Sequence, residues 1–290
     1  MRFNERRKKF RSVLNGSRCV YPGSVFDPIS SRIAEDIGFE IGMFAGSIAS
    51  FTVLGAPDVI VLTLSEFAQQ AQRINRATEL PLMVDADHGY GNALNVQRTV
   101  EELEMAGVSG MSIEDTDLPQ SFGSLGNVKL LSIEEGVGKM QAALDARRDM
   151  DLVIAGRTSA AGVTNIDDAI ERAVAYEQVG VDAIFLVGVK TRADLDKVSS
   201  VIKTPIILGG GGEADMLDLD YLSSRNVRIC LQGHQPFSAA VQAIYDTLKA
   251  LRDGVPTKDL KGIASADLLK KVTRNTHYNN MTMKYLGNKR

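Results

Sequence analysis

A (β/α)8 barrel of the TIM type, carrying a C-terminal helical extension, is the fold predicted for this 290-residue sequence, and three observations predict it. Eight short apolar runs, near residues 20, 41, 84, 111, 153, 184, 206 and 229, are each followed by a helical stretch. Residues suited to chemistry fall at the C-terminal ends of those runs, where such barrels carry their active sites. With 44% hydrophobic residues the chain can bury a core of that size. A doubly wound sheet is the competing architecture, but its Gly-x-Gly-x-x-Gly fingerprint is absent after the first strand.

Taken in order, residues 2–16 read as a helix, 17–26 as a first strand ending at Asp27-Pro28, and 30–37 as a short helix. The second strand, 39–44, runs into Ala45-Gly46-Ser47-Ile48-Ala49-Ser50, a loop of small residues whose amides can approach a ligand closely. In the helix over 64–77, Phe67, Ala71 and Ile74 share one face. The third strand begins at Leu82 and breaks into glycines at Gly89-Tyr90-Gly91-Asn92. A helix over 92–106 places Ala93, Val96, Val100 and Leu103 on one face and stops at Gly107. The fourth strand, 110–113, ends in Glu114-Asp115, and a loop over 116–131 leads to a capping-box start at Ser132. Strand 152–156 ends in Arg157-Thr158. Helix 166–179, strand 183–187, helix 192–202, strand 205–208, the glycine loop 209–212, helix 215–224, strand 227–231 and helix 236–252 continue the beat. Past Gly254 the rhythm stops, so the barrel with its N-terminal helix is assigned to 1–254 and a helical tail to 255–290.

Thirty-three basic residues against 36 acidic ones give a net charge of -3, with no long basic block, which argues against a nucleic-acid surface. Arg6-Arg7-Lys8-Lys9 reads as a solvated helix face. Cys19 and Cys230 are far apart in sequence, match no zinc spacing and no disulfide framework, and read as reduced core residues. Apolar runs such as 59–62 and 206–208 are strand-length, well short of a bilayer span, and a soluble cytoplasmic protein is expected.

Asp85-Ala86-Asp87 is the most informative stretch. Side chains alternate along a strand, so the two acids would share a face with Cα atoms roughly 6.5–7 Å apart, within reach of one hard cation. The bland alternative has one Asp capping the next helix and the other solvated. Glu114, Arg157 and His234 close later strands, and Gly46-Ser47 closes the second. Singly, Glu114 reads equally as a loop cap, Arg157 as the partner of a carboxylate across the barrel and His234 as a helix N-cap. Together they suggest Mg2+ or Mn2+ on Asp85, Asp87 and Glu114, with Arg157 holding a carboxylate and the cation facing an adjacent keto oxygen.

Asp85-Ala-Asp87-His-Gly-Tyr-Gly-Asn, Ile113-Glu114-Asp115, Ala155-Gly-Arg157-Thr and Gly46-Ser47 with Leu54-Gly-Ala-Pro-Asp58 together resemble the isocitrate lyase/phosphoenolpyruvate mutase superfamily over about residues 15–250. The lyases of that superfamily carry Lys-Lys-Cys-Gly-His after the glutamate, where this chain reads Leu118-Pro119-Gln120-Ser121-Phe122-Gly123. The mutase loop carries a Lys and an Asn, and Gln120 and Phe122 supply no such cation. Ser24 to Asp27, Asp87 to Val96, Glu134 to Lys139, Leu186 to Val189 and Gly233-His234 are similar to the oxaloacetate decarboxylase branch. The resemblance implies decarboxylation of oxaloacetate, or a close β-keto acid, to pyruvate and CO2 through an enolate held by Mg2+. It further implies that Gly46, Ser47 and Arg157 hold the substrate carboxylate, that Asp85 ligates the metal with Asp87 and Glu114 direct or through water, and that His234 meets the substrate's far end. Homodimers or homotetramers formed by exchange of the eighth helix are implied as well. The sequence departs from the branch at Gly209 to Gly212, where a tyrosine can stand, and at Thr158-Ser159. A carbon–carbon lyase acting on a 2-hydroxy dicarboxylate and a non-catalytic dicarboxylate-binding barrel are the alternatives.

Overall fold

The computed structural model describes residues 3–123, 126–210 and 212–287. Helix α1 (Asn4–Leu14) precedes β1 (Gly23–Ser24), α2 (Pro28–Asp36), β2 (Gly42–Ala45), α3 (Gly46–Ala49), α4 (Leu64–Ala77), β3 (Leu82–Asp85), α5 (Ala93–Met105) and β4 (Gly110–Glu114). There follow α6 (Ile133–Ala146), β5 (Val153–Thr158), α7 (Ala160–Val163), α8 (Ile166–Val179), β6 (Ala183–Leu186), α9 (Arg192–Val201), β7 (Ile206–Leu208), α10 (Leu219–Ser224) and β8 (Val227–Cys230). The last helices are α11 (Gln235–Arg252), α12 (Ala266–Val272) and α13 (Asn275–Thr282). The eight strands are parallel and lie side by side in chain order. A bridge between Val20 and Ile229 joins the last strand back to the segment before the first. Two compact units divide the chain, Met1–His234 and Gln235–Arg290, so the contact boundary falls ahead of Gly254, where the sequence rhythm stops.

Local chemistry explains the elements. Thr63 caps α4 reciprocally with Glu66, Asn92 caps α5 reciprocally with Asn95, and Ser132 accepts from Glu135 N to start α6. The core consists of strand residues such as Phe44, Val84, Met111, Ile113, Ile184 and Ile207, all essentially solvent-free, packed beneath helices carrying Phe67, Val100 and Leu195. Phe10 of α1 lies against Gly110, where a side chain would collide with its ring.

Four readings from sequence need correction. Residues 17–26 form a strand only at Gly23–Ser24, because Pro22 has no N–H to continue the ladder from Val20. The small-residue stretch after β2 is not a loop: α3 runs directly into a π-helical turn over Ser50–Leu54 that ends at Gly55 in the left-handed region. The helix expected over 215–224 is broken at Asp218, which ends a 3-10 turn (Ala214–Leu217) and caps α10 by accepting from Asp220 N and Tyr221 N. Arg6 and Arg7 do not lie on a solvated face. Both are buried, Arg6 donating to Asn75 O at 2.7 Å and Arg7 to Val108 O at 3.0 Å, while Lys8 and Lys9 are exposed. Guanidinium forks satisfy backbone carbonyls there.

No helix among the described residues is long and apolar enough to cross a membrane.

Candidate active site

Strand register brings the site together. Ala45 pairs with Asp85, Asp85 with Ser112 and Glu114 with Arg157, so the C-terminal ends of β2 to β5 present Asp85, Glu114 and Arg157 at one rim. Asp85 is fixed on both oxygens: Ser112 Oγ donates to Oδ1 at 2.9 Å, and Arg157 donates from Nη1 to Oδ2. The other fork nitrogen of Arg157, Nη2, stands 3.0 Å from Glu114 Oε2. The reading of Arg157 as partner of a carboxylate thus holds twice over, and its buried Nε is left without an acceptor among the described residues. The Phe185 ring lies under the guanidinium at 5.4 Å.

Asp87 arrives by a different route from the one expected. Strand β3 stops at Asp85, and the chain then turns through left-handed residues, Asp87 (φ 48°), Gly89 (74°) and Tyr90 (60°), before Gly91. Asp tolerates that region and Tyr adopts it only at a cost of about 1–3 kcal/mol. The turn keeps its ties to β4, Ala86 N donating to Ser112 O and Glu114 N to Asp87 O at 2.9 Å. It places the Asp87 carboxylate directly over Gly46, whose missing side chain is the space the carboxylate fills. Pleat alternation therefore does not pair the two acids; the turn does.

Two supports lie beneath this turn. Lys139, buried on α6, donates to His88 O at 2.5 Å, and Thr99 Oγ1 donates to Gly89 O at 2.9 Å. Behind Glu114, Asp115 is wholly buried and accepts at Oδ2 from Tyr176 Oη at 2.7 Å and Arg172 Nη1 at 3.0 Å.

The electrostatics are those of crowded acids. Burial, with Asp85, Glu114 and Asp58 adding repulsion, pushes Asp87 well above the usual carboxylate range. Glu114 is also raised, by burial first, with Arg157 opposing. Burial works against the charge on Arg157, and Asp85 and Glu114 more than offset it, so the guanidinium stays protonated. Burial likewise lowers His234, with Asp85 opposing. Among the described residues no three His, Cys, Asp or Glu side chains converge tightly enough to enclose a cation by themselves.

His234 is reached from the other side, its Nδ1 2.8 Å from Ser24 Oγ at the end of β1. Gly46 and Ser47 open α3 at the end of β2. Of the glycine loop after β7, Gly211 lies outside the described residues, and Gly210 sits at φ 76° against Leu231 O.

Four residues of the site escaped the sequence reading as functional candidates. Asp58, quoted only as a loop end, is a fourth carboxylate whose acidity burial and Asp85 weaken. Ser112 stands two residues before Glu114, and strand alternation alone would put it on the same face. Lys139 falls on the buried stripe of Gly136, Met140 and Ala143, where a lysine is a signal in itself. Ser24 carries no such local mark.

The family model for phosphoenolpyruvate phosphomutase matches residues 10–252. A protein of Bradyrhizobium diazoefficiens named oxaloacetate decarboxylase is 58% identical over 274 residues, covering 94% of each chain. Among solved structures, phosphonopyruvate hydrolase in complex with oxalate and Mg2+ superposes with a TM-score of 0.85 at 27% identity, covering 97% of this chain and 99% of that one. Oxaloacetate acetylhydrolase in complex with the inhibitor 3,3-difluorooxalacetate superposes with a TM-score of 0.86 at 26% identity, covering 99% of both chains.

Proposed function

This chain belongs to the phosphoenolpyruvate phosphomutase family, and from that premise we propose that it is a Mg2+-dependent oxaloacetate decarboxylase, the activity named for its relative of 58% identity. The observation that carries the reading is a crowding of acids: Asp58, Asp85 and Glu114 all act on Asp87, with Arg157 the cation bonded to Asp85 and Glu114. Four carboxylates against one guanidinium and the Lys139 ammonium suit a divalent cation and an α-keto acid better than a structural ion pair.

Asp85 is the inner ligand in this reading, with Asp87 and Glu114 acting directly or through water. Bound there, Mg2+ (or Mn2+) supplies positive charge opposite the 2-oxo group as negative charge develops on it. Arg157 holds the C1 carboxylate together with the N–H groups of Gly46 and Ser47. The C3–C4 bond breaks, its electron pair passes into the enolate, CO2 departs, and one proton at C3 completes pyruvate. His234 meets the C4 carboxylate as a neutral ring, which burial favours. A full cation there would stabilise the substrate more than a transition state that is losing its carboxylate charge.

Purified protein with oxaloacetate and Mg2+ should release pyruvate faster than Mg2+ alone, and Asp85→Ala should remove the excess. A rate equal to that of the metal alone, an excess that survives in Asp85→Ala, or products of carbon–carbon cleavage overturn the reading.

Self-assembly by exchange of the eighth helix, into a homodimer or homotetramer, belongs to the same proposal. Ile244, Tyr245 and Leu248 of α11 lie three, four and seven residues after Val241, the four are 49–62% exposed, and no residue of that helix is buried. Light scattering should return a multiple of 31.4 kDa, and Leu248→Glu should lower it. Free, buried Cys19 and Cys230 support a reducing, cytoplasmic setting.

A further inference from the structure

Within the rim, the side chain of His234 has a single hydrogen-bond partner among the described residues, Ser24 Oγ at 2.8 Å from Nδ1. The two residues are held very differently. Ser24 is fixed by its neighbours: Gly23 N donates to Ile41 O and Val25 N to Met43 O, both at 2.9 Å, and Val25 is fully buried. Its register partner Met43 pairs onward with Met83, which lies on the face that ends in Asp85, so the Ser24 side chain belongs to the barrel interior. His234 follows Gly233, whose φ of 79° is free of steric restraint, and lies past the last hydrogen bond of its strand, Leu231 N to Leu208 O. A rigid strand end thus holds a ring on a permissive segment.

We propose that Ser24 is a positioning residue for His234, its hydroxyl donating to Nδ1 and thereby fixing the tautomer that carries its proton on Nε2. The inference rests on the reading of His234 as a substrate contact. Two arguments choose the direction of the bond. Ser24 Oγ has no other acceptor among the described residues, so donation to Nδ1 satisfies both groups, whereas the reverse leaves the hydroxyl proton without a protein partner. The reverse would also leave Nε2 a bare acceptor facing an anionic substrate, lone pair against carboxylate. With the donor tautomer a neutral N–H meets the C4 carboxylate and orients it without adding charge beside the departing group. The field of Asp85 reaches the same ring across the barrel mouth.

The test uses the whole protein labelled with 15N-histidine, whose three histidines, His88, His234 and His277, are assigned by single substitution. Long-range 1H–15N correlation of the wild-type protein should show His234 with Nε2 protonated and Nδ1 bare. In Ser24→Ala that preference should collapse to a mixture, and in Ser24→Thr, which keeps the hydroxyl, it should persist. Turnover of oxaloacetate should fall about tenfold in Ser24→Ala, the rate equivalent of one neutral hydrogen bond, with the Mg2+ requirement unchanged, and recover in Ser24→Thr. A proton found on Nδ1 in the wild-type protein, or a Ser24→Ala spectrum and rate equal to wild type, overturns the proposal. The spectrum is read whether or not the protein turns over oxaloacetate, so failure of the decarboxylase reading and failure of the Ser24 assignment appear in different measurements. A proton on Nδ1 in the wild-type protein overturns the proposal even where a variant does not fold.

Discussion

The two sides of the barrel mouth are built on opposite plans. On the side of β3 to β5 each carboxylate has a partner of its own: Asp85 is held by Ser112 and Arg157, Glu114 by Arg157, and Oδ2 of Asp115 by Tyr176 and Arg172, while Lys139 holds the His88 carbonyl. On the side of β7 and β8 the chain offers glycines and one histidine held by one bond. The first side holds charges in a fixed geometry before any ligand arrives, which is what electrostatic stabilisation requires. The second has little that resists a substrate of changing shape, which suits a place where a carboxylate leaves as CO2.

The contrast breaks most completely at Arg157. Arg157→Gln removes the counter-charge of two carboxylates whose side chains are only 12% and 6% exposed. Breaking a buried pair in that way costs about 3–5 kcal/mol. The Mg2+-free variant should show a correspondingly lower chemical-denaturation midpoint, added Mg2+ should recover part of it, and decarboxylation should be lost in either case. A midpoint equal to wild type would mean that the guanidinium does not stabilise the rim.

Gly46→Ala should come next. A Cβ at Gly46 overlaps the Asp87 carboxylate, and the left-handed turn that delivers that carboxylate has no slack toward β4. Displacing a metal-side group of this kind lowers metal affinity about 10- to 100-fold. A Mg2+ titration of activity should move by that factor, and an unmoved titration would remove Asp87 from the metal side.

The raised acids make a pH prediction whose sign is fixed. A carboxyl whose folded pKa lies above its unfolded value stabilises the folded state below the unfolded pKa and loses that contribution as pH rises through the folded pKa. Asp87 and Glu114 are both of this kind. Mg2+ competes with their protons, so the rise in melting temperature on adding Mg2+ should grow as pH increases from about 5 to about 8. His88, which burial and Lys139 push down to about 4, titrates with the opposite sign, losing its contribution as pH falls below about 6.5. Its contribution is common to both arms and cancels in the difference. A Mg2+ effect that is flat with pH would contradict the crowding of the acids.

The well-tied side was also the side that sequence could read. The meeting of Asp85, Glu114 and Arg157 at one rim was legible because each lies at the end of an apolar strand, and the strand-to-helix rhythm says where strand ends meet. What sequence could not supply was how Asp87 gets there, since a run of positive φ values is written only partly in the glycines; Tyr90 and Asp87 adopt it without being glycine. Nor could it choose between a solvated and a buried Arg6, because the acceptors, Asn75 O and its neighbours, come from an element far along the chain. Ser24 was quoted only within the resemblance, and its pairing with His234 was hidden for the same reason: the partner lies 210 residues away. Local pattern reports which residues end a strand, and long-range pairing decides what they touch.

The smallest predicted effect sharpens the comparison by repeating one chemical change on the loosely held side. Gly233→Ala adds the same single methyl as Gly46→Ala, but nothing lies within 4 Å of the new carbon. The whole cost is the backbone at φ 79°, about 1–2 kcal/mol for an L residue. Melting temperature should fall by a few degrees, and the Mg2+ titration should not move, since no metal-side group is displaced. Oxaloacetate turnover should change only a few-fold, through the angle at which His234 meets Ser24. A loss of Mg2+ affinity matching that of Gly46→Ala would show that the two sides are mechanically one, and the division drawn between them would fall.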